Sequence, residues 1–185
     1  YYDVFLFNTA GDLVYSVFKE EDYATNFADG GGEWAETDLG RAFRAANTAR
    51  ANETSFFDFQ PYAPSYDAPA SFISTPIFEG SRRIGVLVYQ MPIDAINALM
   101  GETEGLGETG ETVIVGADGL LRNDSRFTEE NDILSARVNA DIVTATIAGD
   151  SGFSARETFK GASVAAASGL VDFKGVRWAV LAVQT

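Results

Sequence analysis

The chain has no histidine and no cysteine among its 185 residues. Those absences exclude a Ser-His-Asp triad, a Cys-His nucleophile pair, a zinc site built from His and Cys, disulfides and thiol redox chemistry. Any catalysis would have to rest on carboxylates, lysine, tyrosine or a hard metal held by oxygen. Basic residues are scarce as well, with 13 Lys plus Arg against 27 Asp plus Glu and a formal charge of -14. Nucleic acids and anionic lipid surfaces are bound by clustered Lys and Arg, so neither partner is expected. Long apolar runs are also missing. Ile84 to Tyr89 and Trp178 to Val183 fall far short of the ~18 residues that a membrane-spanning helix needs. Tyr1-Tyr2-Asp3 reads as the start of a strand, with no basic leader before it.

What is present is core material: 46% hydrophobic residues, including 14 Phe, a composition that packs rather than stays disordered. The chain also repeats itself. Residues 3–17, DVFLFNTAGDLVYSV, read as a β-hairpin turning near Gly11. ETVIVGADGLLRNDS has the same layout, so that Phe5 corresponds to Val113 and Gly11 to Gly119, each 108 positions on. Arg83-Ile84-Gly85-Val86-Leu87-Val88-Tyr89-Gln90 aligns with Arg177-Trp178-Ala179-Val180-Leu181-Ala182-Val183-Gln184, with Arg, Val, Leu and Gln in register. Two matches in the same order point to a tandem repeat of one module.

Each half reads as two strands, helix, then more strand. In the first, helices are expected at Glu21 to Phe27 and Leu39 to Ala51, the latter with Leu39, Ala42, Phe43, Ala46 and Ala49 on one side. Strands follow around a Pro- and Tyr-rich loop, Pro61 to Pro69. In the second, a helix is expected over Asp132 to Ala148 and strands from Phe153 onward, turning at Gly161 and Gly175. Ile93 to Met100 reads as a short helix joining the halves. The expected class is α+β, two modules of antiparallel sheet with helices on one face, residues 1–104 and 105–185.

Gly105-Leu106-Gly107-Glu108-Thr109-Gly110 matches the dinucleotide fingerprint by letter. It follows a helix and leads into a strand, the reverse of the arrangement that places pyrophosphate at a helix N-terminus, and it reads as a linker turn. No cofactor is expected. Glu20-Glu21-Asp22 and Glu129-Glu130-Asn131-Asp132 lack calcium-loop spacing and read as acids at helix N-termini. The most unusual stretch is FFDFQPYAPSY, residues 56–66. Strand periodicity puts Phe57 and Phe59 on one face and Phe56, Asp58 and Gln60 on the other. It is either a core strand or the wall of a small-ligand pocket, such sites being apolar concavities with a few polar groups.

Three stretches, YYDVFLFNTAGDLVYSVFKEEDYATNF, DFQPYAPSYDAPASFISTPIF with GVLVYQMPID, and GETGETVIVGADGLLRNDSRF, resemble the double-Cache (tandem PAS-like) sensor domains of bacterial transmembrane receptors, above all methyl-accepting chemotaxis proteins. The resemblance implies a non-enzymatic, extracytoplasmic (periplasmic) sensor of a small molecule. It implies anchoring in the cell inner membrane, with a homodimer in the full receptor and a ligand in the first module. It also implies a long N-terminal helix, which this sequence does not show and whose absence is expected to reflect truncation. The same sensor on a histidine kinase or nucleotide cyclase is the alternative within the class. A carboxylate-based hydrolase or an adhesion module is the alternative outside it.

In amino-acid-binding members a tyrosine is followed two positions later by aspartate, and another aspartate late in the final strand meets the ligand's ammonium. Here Tyr62 fits, but those aspartates are replaced by Pro64 and Gln90. The expected ligand-binding residues are therefore Phe57, Asp58, Tyr62, Ser65, Phe72, Ser74 and Gln90. The expected ligand is not an ordinary α-amino acid; a small neutral or cationic molecule suits these residues better, unless Arg41 or Arg44 turns inward.

Overall fold

The computed structural model describes all 185 residues, Tyr1 to Thr185. The chain forms two units, Tyr1–Pro92 and Ile93–Thr185. The first contains β1 (Val4–Phe7), β2 (Leu13–Ser16), α1 (Asp38–Thr48), β3 (Ser55–Tyr62), a 3-10 turn at Ala63–Ser65, β4 (Ala68–Glu79) and β5 (Arg82–Gln90). The second contains α2 (Ile93–Met100), β6 (Glu111–Gly116), α3 (Asp141–Ala148), β7 (Gly152–Phe159), β8 (Ala162–Phe173) and β9 (Val176–Gln184). The sheets run β2-β1-β5-β4-β3 and β6-β9-β8-β7, antiparallel throughout. Without β2, the first order is the second, so the duplication read from residues is a duplication of fold. The class is α+β.

In the first unit, α1 packs on β3, β4 and β5. Thr37 caps it, its side chain accepting from the Gly40 N–H at 3.5 Å, and Asp38 in the first turn complements the positive end of the helix dipole. Its inner stripe, Leu39, Ala42, Phe43 and Ala46, is buried against Phe5, Phe7, Phe27, Phe72, Val86 and Val88. Phe7 meets Phe27 edge-on at 5.3 Å, and Phe5 meets Phe72 in the same manner at 6.1 Å. Pro76 is tolerated inside β4 because β3 begins opposite Ser74, leaving that stretch of β4 unpaired on one side.

Three expectations do not survive. Glu21 to Phe27 forms turns, with Ala24 in the left-handed region at φ 62°, because the segment is tied by its backbone to β2 and the first hairpin: the Leu13 N–H donates to Thr25 O and the Phe27 N–H to Gly11 O. The second helix begins at Asp141 rather than Asp132, since Leu134 at φ 59° breaks any earlier helix. Residues 134–138 instead run beside residues 119–121, with Leu121 N–H on Ala136 O and Val138 N–H on Gly119 O. The alternation in β3 is interrupted by a bulge between Phe57 and Gln60, which shifts the faces assigned to Phe57 through Gln60.

In the second unit, Val113, Val115, Leu121, Ile142, Val143, Ala179, Leu181 and Val183 form the core. Arg122 is buried here, donating to Asp118 Oδ2 at 3.0 Å and Leu120 O at 2.9 Å. It fits because residue 116 is glycine: a Cβ there would lie 2.1 Å from Arg122 Nη2. Gly116→Ala should therefore displace the guanidinium and cost about 2 kcal/mol, as overpacking does. A lowered urea midpoint with an unchanged slope is the expected measurement; an unchanged midpoint would show that Arg122 relaxes freely.

Candidate functional site

A cavity of about 580 Å3 opens in the first unit between the start of α1 and strands β3 and β4. It is lined by Thr37, Asp38 and Arg41 from the helix side. The sheet side contributes Phe57, Asp58, Gln60, Pro61, Tyr62, Ala70 and Phe72. The β3 bulge is what lets Phe57, Asp58 and Gln60 border one space, where regular alternation would have separated them. Phe72 is fully buried in the floor and stacks edge-on with Tyr62, ring centroids 5.3 Å apart.

The charges are of both signs. Arg41 pairs with Asp38 at 2.8 Å, one helical turn apart. Burial pushes the Asp38 carboxyl above its ordinary range, against the pull of Arg41. Asp58 accepts from the Phe59 N–H at 2.7 Å. Arg44, the other candidate cation, is occupied elsewhere, donating to Ala35 O at 2.6 Å and Phe27 O at 3.3 Å.

Of the seven residues expected from sequence, Phe57, Asp58, Tyr62 and Phe72 line the cavity. Ser65 is buried at the 3-10 turn and donates to Glu20 Oε2 at 2.6 Å. Ser74 and Gln90 are buried on β4 and β5, where Ser74 Oγ and Gln90 Oε1 have no protein partner. Thr37, Asp38, Gln60, Pro61 and Ala70 were not singled out. A helix was expected from Leu39, but nothing in the sequence said that its start faces β3.

Behind Tyr62 lies a further polar group. The Tyr62 hydroxyl donates to Asp22 Oδ2 at 2.5 Å. Asp22 is completely buried, and its Oδ1 has no partner. Loss of water and the negative charges of Glu20 and Asp3 push the Asp22 carboxyl up to about 6, against the stabilising Tyr62 hydrogen bond. Burial and the facing Asp22 carboxylate push the Tyr62 phenol up as well.

No protein-family model matches the chain. In sequence it is similar to the probable chemoreceptor y4sI of Sinorhizobium fredii, 29% identical over 143 residues, which is 75% of this chain and 18% of that protein. The chain thus spans less than a fifth of the length of that curated relative. In structure it is similar to the ligand-binding domain of the Pseudomonas fluorescens chemoreceptor CtaA in complex with L-leucine, with TM-score 0.56, 13% identity and coverage of 98% of this chain and 69% of that one. It is similar to the ligand-binding domain of the Pseudomonas aeruginosa amino acid chemoreceptor PctB with L-Arg, with TM-score 0.60, 16% identity and coverage of 98% and 70%. The extracellular domain of the putative histidine kinase vpHK1S-Z8 gives TM-score 0.64 at 11% identity, covering 100% and 68%. The fold is that of chemoreceptor ligand-binding domains. That agrees with the double-Cache resemblance and with the α+β duplication.

One expectation about this sensor fold is corrected. An ordinary α-amino acid was expected not to be the ligand, yet structures of this fold hold L-leucine, L-serine and L-Arg, and another holds GABA. The expectation rested on the charges missing at Pro64 and Gln90 and left open whether Arg41 or Arg44 turns inward. In the folded chain Arg41, Asp38 and Asp58 supply charges of both signs around the cavity from other elements.

Proposed function

We propose that this chain is the extracytoplasmic sensing portion of a bacterial chemoreceptor and that its first unit binds a small zwitterion of the amino-acid class. The observation that carries the ligand reading is the cavity: about 580 Å3, within the usual range for small-molecule sites, with Arg41 for a carboxylate, Asp38 and Asp58 for an ammonium, and Phe57 and Phe72 for an apolar side chain. Phe57, Asp58, Tyr62 and Phe72 are the expected contacts among those read from sequence. Ser65, Ser74 and Gln90 serve behind or beside them. Binding shifts the population of two arrangements of the receptor, and no chemical step is required of the domain. The intact receptor sits in the inner membrane with this portion in the periplasm. No helix of the chain is long and apolar enough to cross a membrane. A histidine kinase carrying the same sensor is the second reading, favoured by the likeness to the vpHK1S-Z8 extracellular domain.

A thermal-shift screen against the twenty L-amino acids and GABA tests the reading. At least one should raise the midpoint in a concentration-dependent way, and a flat response across the panel would overturn the ligand class. For the compound found, Arg41→Gln should weaken binding by about tenfold in isothermal titration, the loss typical of a charge-assisted hydrogen bond. Equal affinity in the variant would remove Arg41 from the site.

A further inference from the structure

Asp22 is a buried carboxylate that the ligand reading does not use. It is not among the residues lining the cavity and reaches it only through Tyr62, which is. The groups facing it are the Tyr62 hydroxyl from β3, Asp3 from β1 and Glu20 from its own turn, the two carboxylates both negative. Asp3 is itself buried, accepting from Ser16 Oγ at 3.2 Å and the Val17 N–H at 2.8 Å. Glu20 is held by Ser65 at 2.6 Å. A single hydrogen therefore decides the behaviour of the Tyr62 oxygen. With Asp22 ionised, the phenol proton is committed to Asp22, so the oxygen is left as an acceptor only. With Asp22 protonated, the carboxyl can donate to the phenol oxygen, which releases the phenol proton to point elsewhere.

We propose that Asp22 is a positioning residue for the cavity: by fixing the direction of the Tyr62 hydroxyl proton it makes Tyr62 an acceptor for the ammonium end of the ligand, and protonation of Asp22 reverses that preference. This deepens the zwitterion reading by assigning to Tyr62 the amine end and by making its recognition dependent on pH. The transition falls where the Asp22 carboxyl titrates, at about 6. Periplasmic pH follows the medium, so occupancy of the sensor would report acidity together with ligand.

The test uses isobutylamine as the probe, titrated into the isotope-labelled chain and followed by NMR at pH 8 and pH 5. In the parent, shifts at the backbone amides of residues 57–62 are expected, with affinity about tenfold lower at pH 5, as single-group linkage gives one unit below the titration point. Asp22→Asn removes the negative charge that commits the phenol proton and should bind at pH 8 as weakly as the parent does at pH 5, with no further change on acidification. Asp38 also titrates above its ordinary range at this cavity, and it predicts the opposite result, a pH dependence that persists in Asp22→Asn. That persistence, or an absence of isobutylamine binding at both pH values, would overturn the proposal. A second measurement needs no ligand: the Asp22 side-chain carbon should titrate near 6 in the parent and higher in Tyr62→Phe, which keeps the ring and loses the donor. An unmoved titration would equally sink it. If members of the amino-acid panel bind with a pH profile that Asp22→Asn leaves unchanged, this proposal fails and the ligand class stands. If neither the panel nor isobutylamine binds, both fail.

Discussion

At pH 8, Asp22→Asn should be more stable to urea than the parent by about 2 kcal/mol, and the advantage should vanish by pH 4. A group whose carboxyl titrates at about 6 in the fold against an ordinary 3.8 binds its proton more tightly when folded. It therefore contributes stability that is fully present below 3.8 and lost as pH rises through 6. Above that window the buried charge costs about 3 kcal/mol. Asparagine removes the charge and keeps the shape, while stranding one amide proton in the interior subtracts about 1 kcal/mol. The opposite linkage operates in the second unit. Asp118 and Asp132 are held below their ordinary range by Arg122 and Leu120 N–H, and by Thr128 and Lys160, despite partial burial. Their contribution is present above an unfolded value of 3.8 and is lost as pH falls below it. Denaturation profiles from pH 2 to 8 should thus separate the two effects, with only the upper limb flattened in Asp22→Asn. Identical profiles for both proteins would show that water reaches Asp22 and that its burial is not maintained in solution.

Phe72→Ala should be the most damaging single truncation of the first unit, costing about 3–5 kcal/mol. Phe72 is fully buried and is the point where three features meet: it stacks on Phe5 and Tyr62, pairs across the sheet with Phe57 and Gln90, and floors the cavity. Truncation removes its transfer free energy and also leaves a void that α1 and the sheet can only partly close. The loss should appear in the amide exchange protection of β3, β4 and β5, with β6 to β9 keeping theirs. Phe72→Leu, which retains most of the volume, should recover much of the loss. Equal cost for leucine and alanine would mean that stacking with the two rings, rather than filled space, is what Phe72 supplies.

Much of the architecture was legible because it depends on local periodicity. The offset that carries Gly11 onto Gly119 reflects two turns that both need a left-handed residue, at φ 97° and 79°. The match between residues 83–90 and 177–184 reflects two strands, β5 and β9, that are central in their sheets and so are buried enough to demand Val and Leu. The helical stripe at Leu39, Ala42, Phe43 and Ala46 is buried as its spacing requires. The failures occur where distant backbone outweighs local preference. Glu21 to Phe27 has helical composition, but its backbone is tied to β2 and the first hairpin. Residues 134–138 lie alongside the 119–121 segment instead of extending α3.

The site divides in the same way. Phe57, Tyr62 and Phe72 could be found by asking which aromatics cluster in the middle strands, because aromatic side chains bury wherever a sheet meets a helix. Of the charges, only Asp58 on the same strand could. Arg41 lies on the helix beside the inner stripe, and whether it turns toward solvent or toward β3 is a matter of how α1 crosses the sheet. Asp22 belongs to an acidic run, Glu20-Glu21-Asp22, that reads as a solvated surface. It is the fold that places Asp22 beneath Tyr62, forty residues away in sequence. By itself the sequence determined that this is a duplicated α+β fold without histidine, thiol or basic-surface chemistry, since period, turn residues and composition act over a few residues at a time. Only the tertiary structure decided which charges face the cavity, since a ligand's charge partners come from elements whose spatial approach no local pattern encodes.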